Sequence, residues 1–397
     1  MVLKAFILRL YPNKTQRNQI HVNFGCARFV WNQMLNMHIE RYKNNKKAKF
    51  QGRYSMDVML KALKIEYPWL KQAESTSLQR VNRDLDDAFQ RFFNPDLQNG
   101  FPRFKSKKNT NQSYTSKFVN NNIRIVDEHH IKLPKLGLVY FKAGRILNGK
   151  IRAVTVCVNS RKQYQASILV ESENQTFKKT KKSVGIDLGL KSLAITSDGQ
   201  KEDILKVDDR LNKQLRIWER KKSRRYENAK KAMAFDEHDK VLFPRTDLKQ
   251  FPRYQQAVRT VAKLKKHIAE RRRDNLHKLT TRLVKDYDTI VVENLSVKNM
   301  MKNHHLSASI ANASWGTLIS QLKYKCAWYG KRLIIIDPKN TSRICHECKQ
   351  KNHEFDSLSQ SEWLAAREWD CPNCHAHLDR DVNAAKNILA KGLETLS

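Results

Sequence analysis

The first residues of the chain alternate between the two faces of an extended strand. Phe6, Leu8 and Leu10 fall on one face, and the residues between them fall on the other. Pro12 follows at once, and proline cannot donate a backbone hydrogen bond to a neighbouring strand. The pattern therefore predicts a first strand that ends before Pro12.

Helical spacing of apolar residues replaces this alternation near Thr15. A repeat of three to four residues is typical of a helix that buries one face. Three such stretches follow one another, with apolar residues at Ile20, Phe24, Ala27, Val30 and Met34, then Met56, Leu60 and Leu63, then Leu78, Val81, Leu85, Ala88, Phe89 and Phe92. They predict a small helical bundle.

Short β-type runs follow the helical stretches, at residues 131–140, 151–158 and 163–171. Together with the first strand they predict a β-barrel or sandwich. The helical bundle would then be an insertion into this β-rich part of the chain.

A third pattern begins at Ser183 and mixes apolar strands with helices. The run from Ser183 to Gly189 predicts a buried strand with Asp187 in its middle, and a second strand is predicted from Leu193 to Thr196. The remaining predicted elements are a basic helical region at 204–285, a strand from Thr289 to Val292 that ends at Glu293, a helix at 312–329 and a strand from Leu333 to Ile336. The whole pattern predicts an α/β multidomain protein.

The charge of the chain indicates what kind of partner it has. The 397 residues include 76 Lys and Arg against 39 Asp and Glu, which gives a formal net charge of +37. Such an excess predicts a polyanionic partner, and nucleic acid is the first expectation. We expect no membrane partner, because no apolar run is long enough to span a bilayer. The start of the chain also lacks the features of a signal peptide, so we expect a cytoplasmic, nucleoid-associated protein.

Two basic segments are candidates for contacts with nucleic acid. Aromatic residues and cations are interleaved around Arg103, Phe104 and Lys105, and three consecutive arginines lie at 271–273 in the basic helical region. Arginines on a helix are ordinarily a solvated face. Here the charge of the whole chain favours a surface that faces phosphates, so Arg271, Arg272 and Arg273 are predicted contacts.

Three carboxylates are candidates for the chemistry. Burial of an ionised carboxylate costs several kcal/mol, so Asp187 in an apolar strand and Glu293 at the end of one need compensation. Together with Asp381 they could meet at the centre of one mixed sheet with a C-terminal helix packed on it, as in ribonuclease H-like nucleases. Two Mg²⁺ ions about 3.5–4 Å apart would then activate water to hydrolyse a phosphodiester. The alternative is that each acid is a cap or strand-end residue paired with lysine.

Asp379 competes with Asp381 for the third position. Because Asp379 lies at the entry of the predicted C-terminal helix, it is expected to cap that helix, and Asp381 is preferred as the catalytic acid.

Two CxxC pairs predict a structural zinc site. Cys345, Cys348, Cys371 and Cys374 have the spacing CxxC-x22-CxxC, which is typical of four thiolates around one tetrahedral Zn²⁺. Four nearby histidines are possible competitors, although exposed loop positions or contacts with nucleic acid are the expected roles of His346, His353, His375 and His377.

The motifs occur in an order that resembles the TnpB (OrfB) family, which bacterial insertion sequences encode and which is related to type V CRISPR effectors. The resemblance covers nearly the whole chain and rests on GIDLG, VVENLS, CHEC, CPNC and DRDVNAAKNI, with Phe101-Pro102-Arg103-Phe104, Asn275-Leu276-His277-Lys278-Leu279 and Trp315-Gly316 between them. It implies four domains: a wedge β-barrel domain (1–14 and 95–182), a helical recognition domain (15–94), a RuvC nuclease domain (183–340 and 377–397) and a zinc-bearing module that binds the target nucleic acid (341–376).

The resemblance also implies a function, RNA-guided cleavage of DNA. Asp187, Glu293 and Asp381 fall on the family's catalytic triad, which would hold Mg²⁺, and the four cysteines fall on its zinc ligands. The implied partners are a guide RNA from the transposon end and double-stranded target DNA, with one protein monomer per RNA. A short motif beside the target would be contacted by Ser55 and Gln79, while Gln51 and Ser75 replace residues that other members use.

Two alternatives stay open at this point. Some relatives have lost their catalytic acids and act as RNA-guided DNA-binding regulators. A transposase that joins DNA ends itself would also use three acids on a ribonuclease H-like sheet, although the zinc knuckle before the third acid argues against this.

Overall fold

The computed structural model of the chain divides into two compact units, Met1–Glu173 and Asn174–Ser397. The described residues are 1–97, 99–109, 111–142, 148–159, 163–203, 209–232, 248, 250–304, 306–338, 341–356, 362 and 366–395. None of the helices in these ranges is long and apolar enough to cross a membrane.

The first unit contains an antiparallel sheet of seven strands, β1 (Val2–Leu10), β2 (Gln112–Lys117), β3 (Arg124–Ile125), β4 (His130–Leu133), β5 (Gly137–Lys142), β6 (Lys150–Val158) and β7 (Tyr164–Ser172). Their order in the sheet is β2-β6-β7-β1-β5-β4-β3. The predicted first strand is confirmed, and it lies between β7 and β5. It therefore joins the part of the sheet formed by β6 and β7 to the hairpin of β4 and β5.

Three helices lie between β1 and β2 in the chain: α1 (Lys14–Asn44), α2 (Arg53–Glu66) and α3 (Ser75–Phe93), with short 3-10 turns at Pro68–Gln72 and Pro95–Leu97. Asn13 and Gln16 form a reciprocal capping box that starts α1 where the sequence predicts a helix. Glu74 caps α3 by accepting hydrogen bonds from the backbone N–H of Thr76 and Ser77. The apolar faces of these helices share one core with the sheet.

The second unit contains a mixed sheet, as predicted, and its described residues form five strands, of which the one at Lys201–Asp203 was not predicted. The strands are β8 (Ser183–Asp187), β9 (Ser192–Thr196), β10 (Lys201–Asp203), β11 (Thr289–Glu293) and β12 (Arg332–Ile336), in the order β10-β9-β8-β11-β12. β8, β11 and β12 are parallel, while β9 and β10 are antiparallel to their neighbours. Parallel strands bring their carboxyl ends to the same edge of a sheet, so β8 and β11 end side by side.

The helices of the second unit are α4 (Asp209–Lys231), α5 (Pro252–Asp286), α6 (Val297–Met300), α7 (Ser307–Ala313), α8 (Trp315–Tyr329) and α9 (Arg380–Glu394). Apolar residues of α5 and α8 pack on one face of the sheet, and Trp315 is among the largest side chains buried there. A further hairpin, β13 (Glu368–Asp370) and β14 (His377–Asp379), leads directly into α9.

An acid just before β11 fixes where the central strands begin. Asp288 accepts hydrogen bonds from the backbone N–H groups of Thr180 and Lys181, at 2.9 and 2.7 Å. It also forms an ion pair with Lys331. These contacts link the segments that precede β8, β11 and β12, so the sheet starts in one fixed register.

Several predicted boundaries were wrong. The run at 131–140 is a hairpin of β4 and β5, because Lys135 and Gly137 adopt left-handed conformations in the turn. The helix predicted at 312–329 is broken at Ser314, which also has a left-handed backbone (φ 55°). The helical region at 204–285 contains α4 and α5, and its residues 204–208 and 233–247 lie outside the described ranges.

Candidate active site and metal centre

Asp187 and Glu293 are the last residues of two adjacent parallel strands. Val292 of β11 pairs with Ile186 of β8, so the following residues, Glu293 and Asp187, leave the sheet at the same edge. The sequence predicted Asp187 in the middle of its strand, but β8 ends there. This places the carboxylate beside that of Glu293 instead of inside the apolar sheet.

Asp381 reaches the same edge from α9. It lies in the first turn of this helix, whose residues Ala385 and Leu389 pack directly on Gly185 of β8. A Cβ atom on Gly185 would lie 2.1 Å from the carbonyl oxygen of Ala385, so this close approach requires glycine. The first glycine of GIDLG, Gly185, is therefore explained by packing against α9, two residues before the candidate acid.

The three acids influence one another electrostatically. Burial, followed by the negative charges of Glu293 and Asp381, raises the pKa of Asp187 from 3.8 to about 7. Burial also raises the pKa of Glu293, although Thr341 opposes this by donating a hydrogen bond to Glu293 Oε1 at 2.5 Å. The structure therefore brings the three predicted acids together at one edge of the sheet.

Arginines hold the third acid in place. Arg380 donates to Asp381 Oδ1 at 2.8 Å, and Arg367 donates to Asp381 Oδ2 at 3.2 Å. Asp379 has the capping role that the sequence predicts, because its carboxylate accepts hydrogen bonds from the backbone N–H groups of Asp381 and Val382. Asp379 also pairs with Lys201 at 2.6 Å.

The chemistry of this acid site suits a hard divalent cation. Carboxylate oxygens are the ligands that Mg²⁺ prefers, and a bound cation would offset the repulsion that raises the pKa of Asp187. A second group of candidate metal ligands is the set of four cysteines described next, whose sulfurs all lie within 4.8 Å of one another.

The four predicted zinc ligands form one cluster. The sulfurs of Cys345 and Cys374 are 3.7 Å apart, and those of Cys348 and Cys371 are 3.6 Å apart. A tetrahedral zinc with Zn–S bonds of about 2.3 Å places its sulfurs about 3.8 Å apart, so the cluster suits Zn²⁺. The backbone N–H of Gln350 lowers the pKa of Cys348, which favours the thiolate form that binds zinc.

The two CxxC turns have the same backbone shape. Lys349 and His375 each follow the second cysteine of a pair, and both adopt left-handed conformations, with φ of 62° and 57°. The backbone N–H groups of Lys349 and His375 donate to the carbonyl oxygens of Cys345 and Cys371. Phe355, Trp369 and Leu378 complete a small apolar core beside the sulfurs.

Two asparagines join the cysteine cluster to the helix that carries Asp381, and the sequence analysis missed them. Asn383 donates to the carbonyl oxygen of Ile344 at 2.8 Å and accepts a hydrogen bond from the backbone N–H of His346. Asn387, one turn later, donates to the carbonyl oxygens of Ile344 and Thr341. The motif DRDVNAAKNI contains both, but helical spacing alone does not reveal what they contact.

The histidines around the cluster differ in role. His346 is mostly buried and its ring contacts Asn383 and Lys386, so its predicted position in an exposed loop was wrong. The ring of His377 pairs with Asp370 at 2.7 Å. His353 begins a 3-10 turn, and His375 occupies the left-handed position described above.

The predicted nucleic-acid contacts of the first unit lie on its surface. Ser55 of α2 and Gln79 of α3 are exposed, as are Arg103, Phe104 and Lys105. The last three residues line a cavity of about 480 Å³ that also contains Arg28 and Arg80.

The segment around Arg103 is held against α1. The indole N–H of Trp31 donates to the carbonyl oxygen of Arg103, and Asn32 exchanges hydrogen bonds with the backbone of Lys105. Lys105 Nζ lies 3.7 Å from the centre of the Trp31 ring, a cation–π contact.

The three arginines of α5 are not equivalent. Arg271 and Arg273 are exposed, whereas Arg272 is half-buried and donates to Ala311 and Asn312. Arg272 therefore contacts the protein itself, which lowers its availability to phosphates.

Family models match three parts of the chain. Residues 1–47 match the helix-turn-helix domain model of OrfB_IS605, residues 167–304 match the OrfB_IS605 model described as "Probable transposase", and residues 315–388 match the Cas12f1-like TNB domain. The last match contains all four cysteines and Asp381.

Two curated proteins are similar over almost their whole length. A protein of Streptomyces pristinaespiralis named "Putative RNA-guided DNA endonuclease" is 33% identical, and the alignment covers 99% of this chain and 90% of the relative. InsQ of Escherichia coli (strain K12), which carries the same description, is 30% identical, with coverage of 100% and 94%.

A solved structure has the same fold. It is titled "Cryo-EM structure of the Cas12f1-sgRNA-target DNA complex", and it superposes with a TM-score of 0.57 over 98% of both chains. The sequences are 13% identical, so this likeness concerns the fold.

Proposed function

Because the chain belongs to the TnpB (OrfB) family, we propose that it is an RNA-guided endonuclease that hydrolyses phosphodiester bonds of target DNA. The observation that carries the proposal is the meeting of Asp187, Glu293 and Asp381 from two neighbouring strands and one helix. Full-length relatives named as RNA-guided DNA endonucleases support the same activity.

We assign the five-stranded sheet to a ribonuclease H-like RuvC domain (183–340 and 377–397). The order β10-β9-β8-β11-β12, with the acids at the ends of the two central strands, supports this assignment. The zinc module (341–376) is inserted before α9. The seven-stranded sheet (1–14 and 95–182) is proposed as the wedge domain, and α1 to α3 (15–94) as the helical recognition domain.

Asp187, Glu293 and Asp381 would hold two Mg²⁺ ions. When bound, Mg²⁺ polarises the scissile phosphate and makes water a stronger nucleophile at neutral pH. Asp187, with a pKa of about 7, must lose its proton to serve as a ligand. Thr341 orients one oxygen of Glu293 through its hydrogen bond, and Arg380 orients Asp381.

Cys345, Cys348, Cys371 and Cys374 would hold a structural Zn²⁺. Among the described residues, Phe355 and Trp369 of this module form one small apolar core with the neighbouring Leu378, so metal binding would supply much of the folding free energy of the module. Asn383 and Asn387 bind the folded module to the helix that carries Asp381, because both donate hydrogen bonds to the carbonyl oxygen of Ile344.

A guide RNA from the transposon end and double-stranded DNA are the proposed partners. Base pairing with the RNA would select the target, while the net charge of +37 neutralises phosphates. The exposed residues Ser55 and Gln79 are candidates for contacting a short motif beside the target.

The proposal is tested with RNA that co-purifies with the protein. We expect sequencing to find one discrete RNA species, and the complex to cut only duplex DNA that matches the variable end of this RNA, with loss of cutting in EDTA. A heterogeneous mixture of RNA fragments would contradict guided recognition. Products joined to other DNA ends, instead of free cut ends, would indicate a transposase, for which the "Probable transposase" model match is the supporting observation.

A further inference from the structure

A cavity lined by aromatic side chains lies among the helices of the first unit, and its lining residues are different from the candidate site residues assigned above. Its walls include side chains from α1, α3 and the segments before α2 and after α3, and we call it the aromatic cavity: His38, Phe50, Phe89, Phe92, Phe93 and Phe101. Its volume is about 750 Å³, within the range of roughly 300–1,000 Å³ that is usual for small-molecule sites.

The rings in the aromatic cavity form one connected network. The ring centres of Phe50 and Phe89 are 4.9 Å apart, and those of Phe92 and Phe101 are 5.3 Å apart in an edge-on contact. The rings of Phe89 and Phe93 are nearly parallel, at 5.9 Å and 23°. Such a network holds its members in fixed orientations without filling the space between them.

Three of these rings are unusually exposed for phenylalanine. Relative exposure is 38% for Phe92, 52% for Phe93 and 44% for Phe101. Exposed aromatic faces next to one another cost free energy in water and are typical of binding sites. A flat apolar partner would cover them.

The rim of the cavity is basic. Arg41, Lys43 and Lys49 are exposed lining residues, and Lys43 pairs with Glu40 at 3.0 Å on the surface. A ligand with a flat ring and a negative charge would match both the wall and the rim. A second copy of this chain, with its own net charge of +37, would be repelled by the same rim.

The wall also contains one polar group without a partner. His38 Nε2 is buried and has no hydrogen-bond partner within the described ranges, and its ring is stacked on Phe50 at 4.9 Å. Burial, followed by the charge of Arg41, lowers the pKa of His38, so its imidazole is neutral at pH 7.

We propose that the aromatic cavity binds an unpaired base of the guide RNA, with the adjoining phosphate on Arg41, Lys43 and Lys49. Stacking of extruded bases on aromatic side chains is how proteins usually hold single-stranded RNA. The inference rests on the proposed function for the identity of the RNA. The cavity would hold the RNA in place whether or not target DNA is present.

The test measures binding of a single-stranded oligoadenylate RNA by fluorescence anisotropy at raised salt, where phosphate contacts weaken and stacking persists. The variant Phe92→Leu/Phe93→Leu keeps apolar side chains but removes two aromatic faces. We expect its affinity to fall about tenfold or more, as loss of stacking predicts. Tyr140→Leu, which removes an exposed aromatic residue of β5 outside the cavity, should bind as the wild type does.

Photocrosslinking locates the bound base independently of affinity. RNA that carries 4-thiouridine should crosslink to peptides containing Phe50, Phe92, Phe93 or Phe101. Unchanged affinity of the double variant together with crosslinks only at other peptides would overturn the proposal. Tighter binding of the matching oligodeoxyadenylate would assign the same base site to single-stranded DNA and overturn its assignment to guide RNA.

Light scattering tests whether a second copy of this chain, instead of RNA, occupies the cavity. If Phe92→Leu/Phe93→Leu changes a dimer to a monomer without changing RNA affinity, the cavity is an interface between protein copies and the proposal is wrong. Loss of matched-DNA cleavage in Asp187→Asn tests the nuclease assignment separately, because Asp187 is not part of the cavity. Failure of the cavity proposal is therefore distinguishable from failure of the nuclease assignment.

Discussion

At the scale of single residues, Asp187 is the acid most affected by its surroundings. Its folded-state pKa of about 7 lies above the ordinary value of 3.8, so the folded protein binds this proton more tightly than the unfolded chain does. The stabilisation is fully present below about pH 4 and is lost as the pH rises through about 7. In the metal-free protein, we therefore expect the melting temperature of the wild type to fall relative to that of Asp187→Asn as the pH rises over this interval.

Calorimetry in EDTA and in Mg²⁺ measures this dependence. Added Mg²⁺ should stabilise the wild type more at pH 7 than at pH 5, because at pH 5 the ligand must first lose its proton. Asp198→Asn is a matched control, since hydrogen bonds from Thr196 and Tyr287 keep the pKa of Asp198 below its ordinary value. A difference between wild type and Asp187→Asn that does not vary with pH would contradict the account.

Lys349 occupies a position that favours glycine. Its left-handed backbone costs a side chain about 1–2 kcal/mol, partly offset by the greater flexibility that glycine gives the unfolded chain. We expect Lys349→Gly to stabilise the zinc module by about 0.5–1 kcal/mol, measured as slower zinc release to a chelator. Gln350, the next residue, does not have a positive φ, so glycine there would only make the unfolded chain more flexible. Gln350→Gly should therefore release zinc faster than the wild type. Faster release from Lys349→Gly would contradict this prediction.

The sequence alone was sufficient to propose the three candidate acids and the four candidate zinc ligands. Cysteine spacing predicted a cluster that the structure forms, and an acid in an apolar strand is unusual enough to identify Asp187 as a candidate. Thr341, Asn383 and Asn387 could not be predicted, because what they contact depends on how α9 lies against the zinc module. No spacing rule gives that arrangement.

At the scale of elements, two glycines determine how α9 lies on the sheet. Gly185 of β8 contacts Ala385 of the helix backbone, and Gly392 of α9 contacts Val291 of β11, where a Cβ would lie 2.3 Å from a methyl carbon. These close contacts set the position of the first turn of the helix, and therefore of Asp381.

Gly185→Ala should displace α9. We expect it to lower the free energy of unfolding by about 1–3 kcal/mol through overpacking, and to reduce DNA cleavage more than RNA binding. Gly316→Ala in α8 is the matched control, because nothing lies within 4 Å of the added methyl group. Chemical denaturation and cleavage rates measure both variants. Unchanged cleavage by folded Gly185→Ala would mean that the position of α9 is not critical.

Elements were predicted best where apolar periodicity is strong. β1, α1, β9 and β11 begin or end within a residue or two of their predicted bounds. The errors lie where residues with a left-handed backbone interrupt an apolar run, at Lys135 and Gly137 and at Ser314. Lysine and serine are not typical of such positions, so these interruptions were not predicted.

At the scale of the whole molecule, positive charge and a site of three acids are both present in one chain. The net charge of +37 suits a protein that binds RNA and DNA phosphates. The acid site instead gathers three carboxylic acids at the carboxyl ends of β8 and β11. A nuclease needs both. Phosphates and carboxylates repel each other, so a bound cation must lie between them when the phosphate backbone approaches the acids.

The central claim is that Asp187, Glu293 and Asp381 act as one metal-dependent site while Asp379 is only a helix cap. The direct measurement is the rate of matched-DNA cleavage by Asp187→Asn, Glu293→Gln, Asp381→Asn and Asp379→Asn, each loaded with the same RNA. The first three should each lose at least about a hundredfold in rate with RNA binding intact. Asp379→Asn should stay within a few-fold of the wild type, because asparagine is an equally good cap. Cleavage that survives any of the first three substitutions would contradict the account.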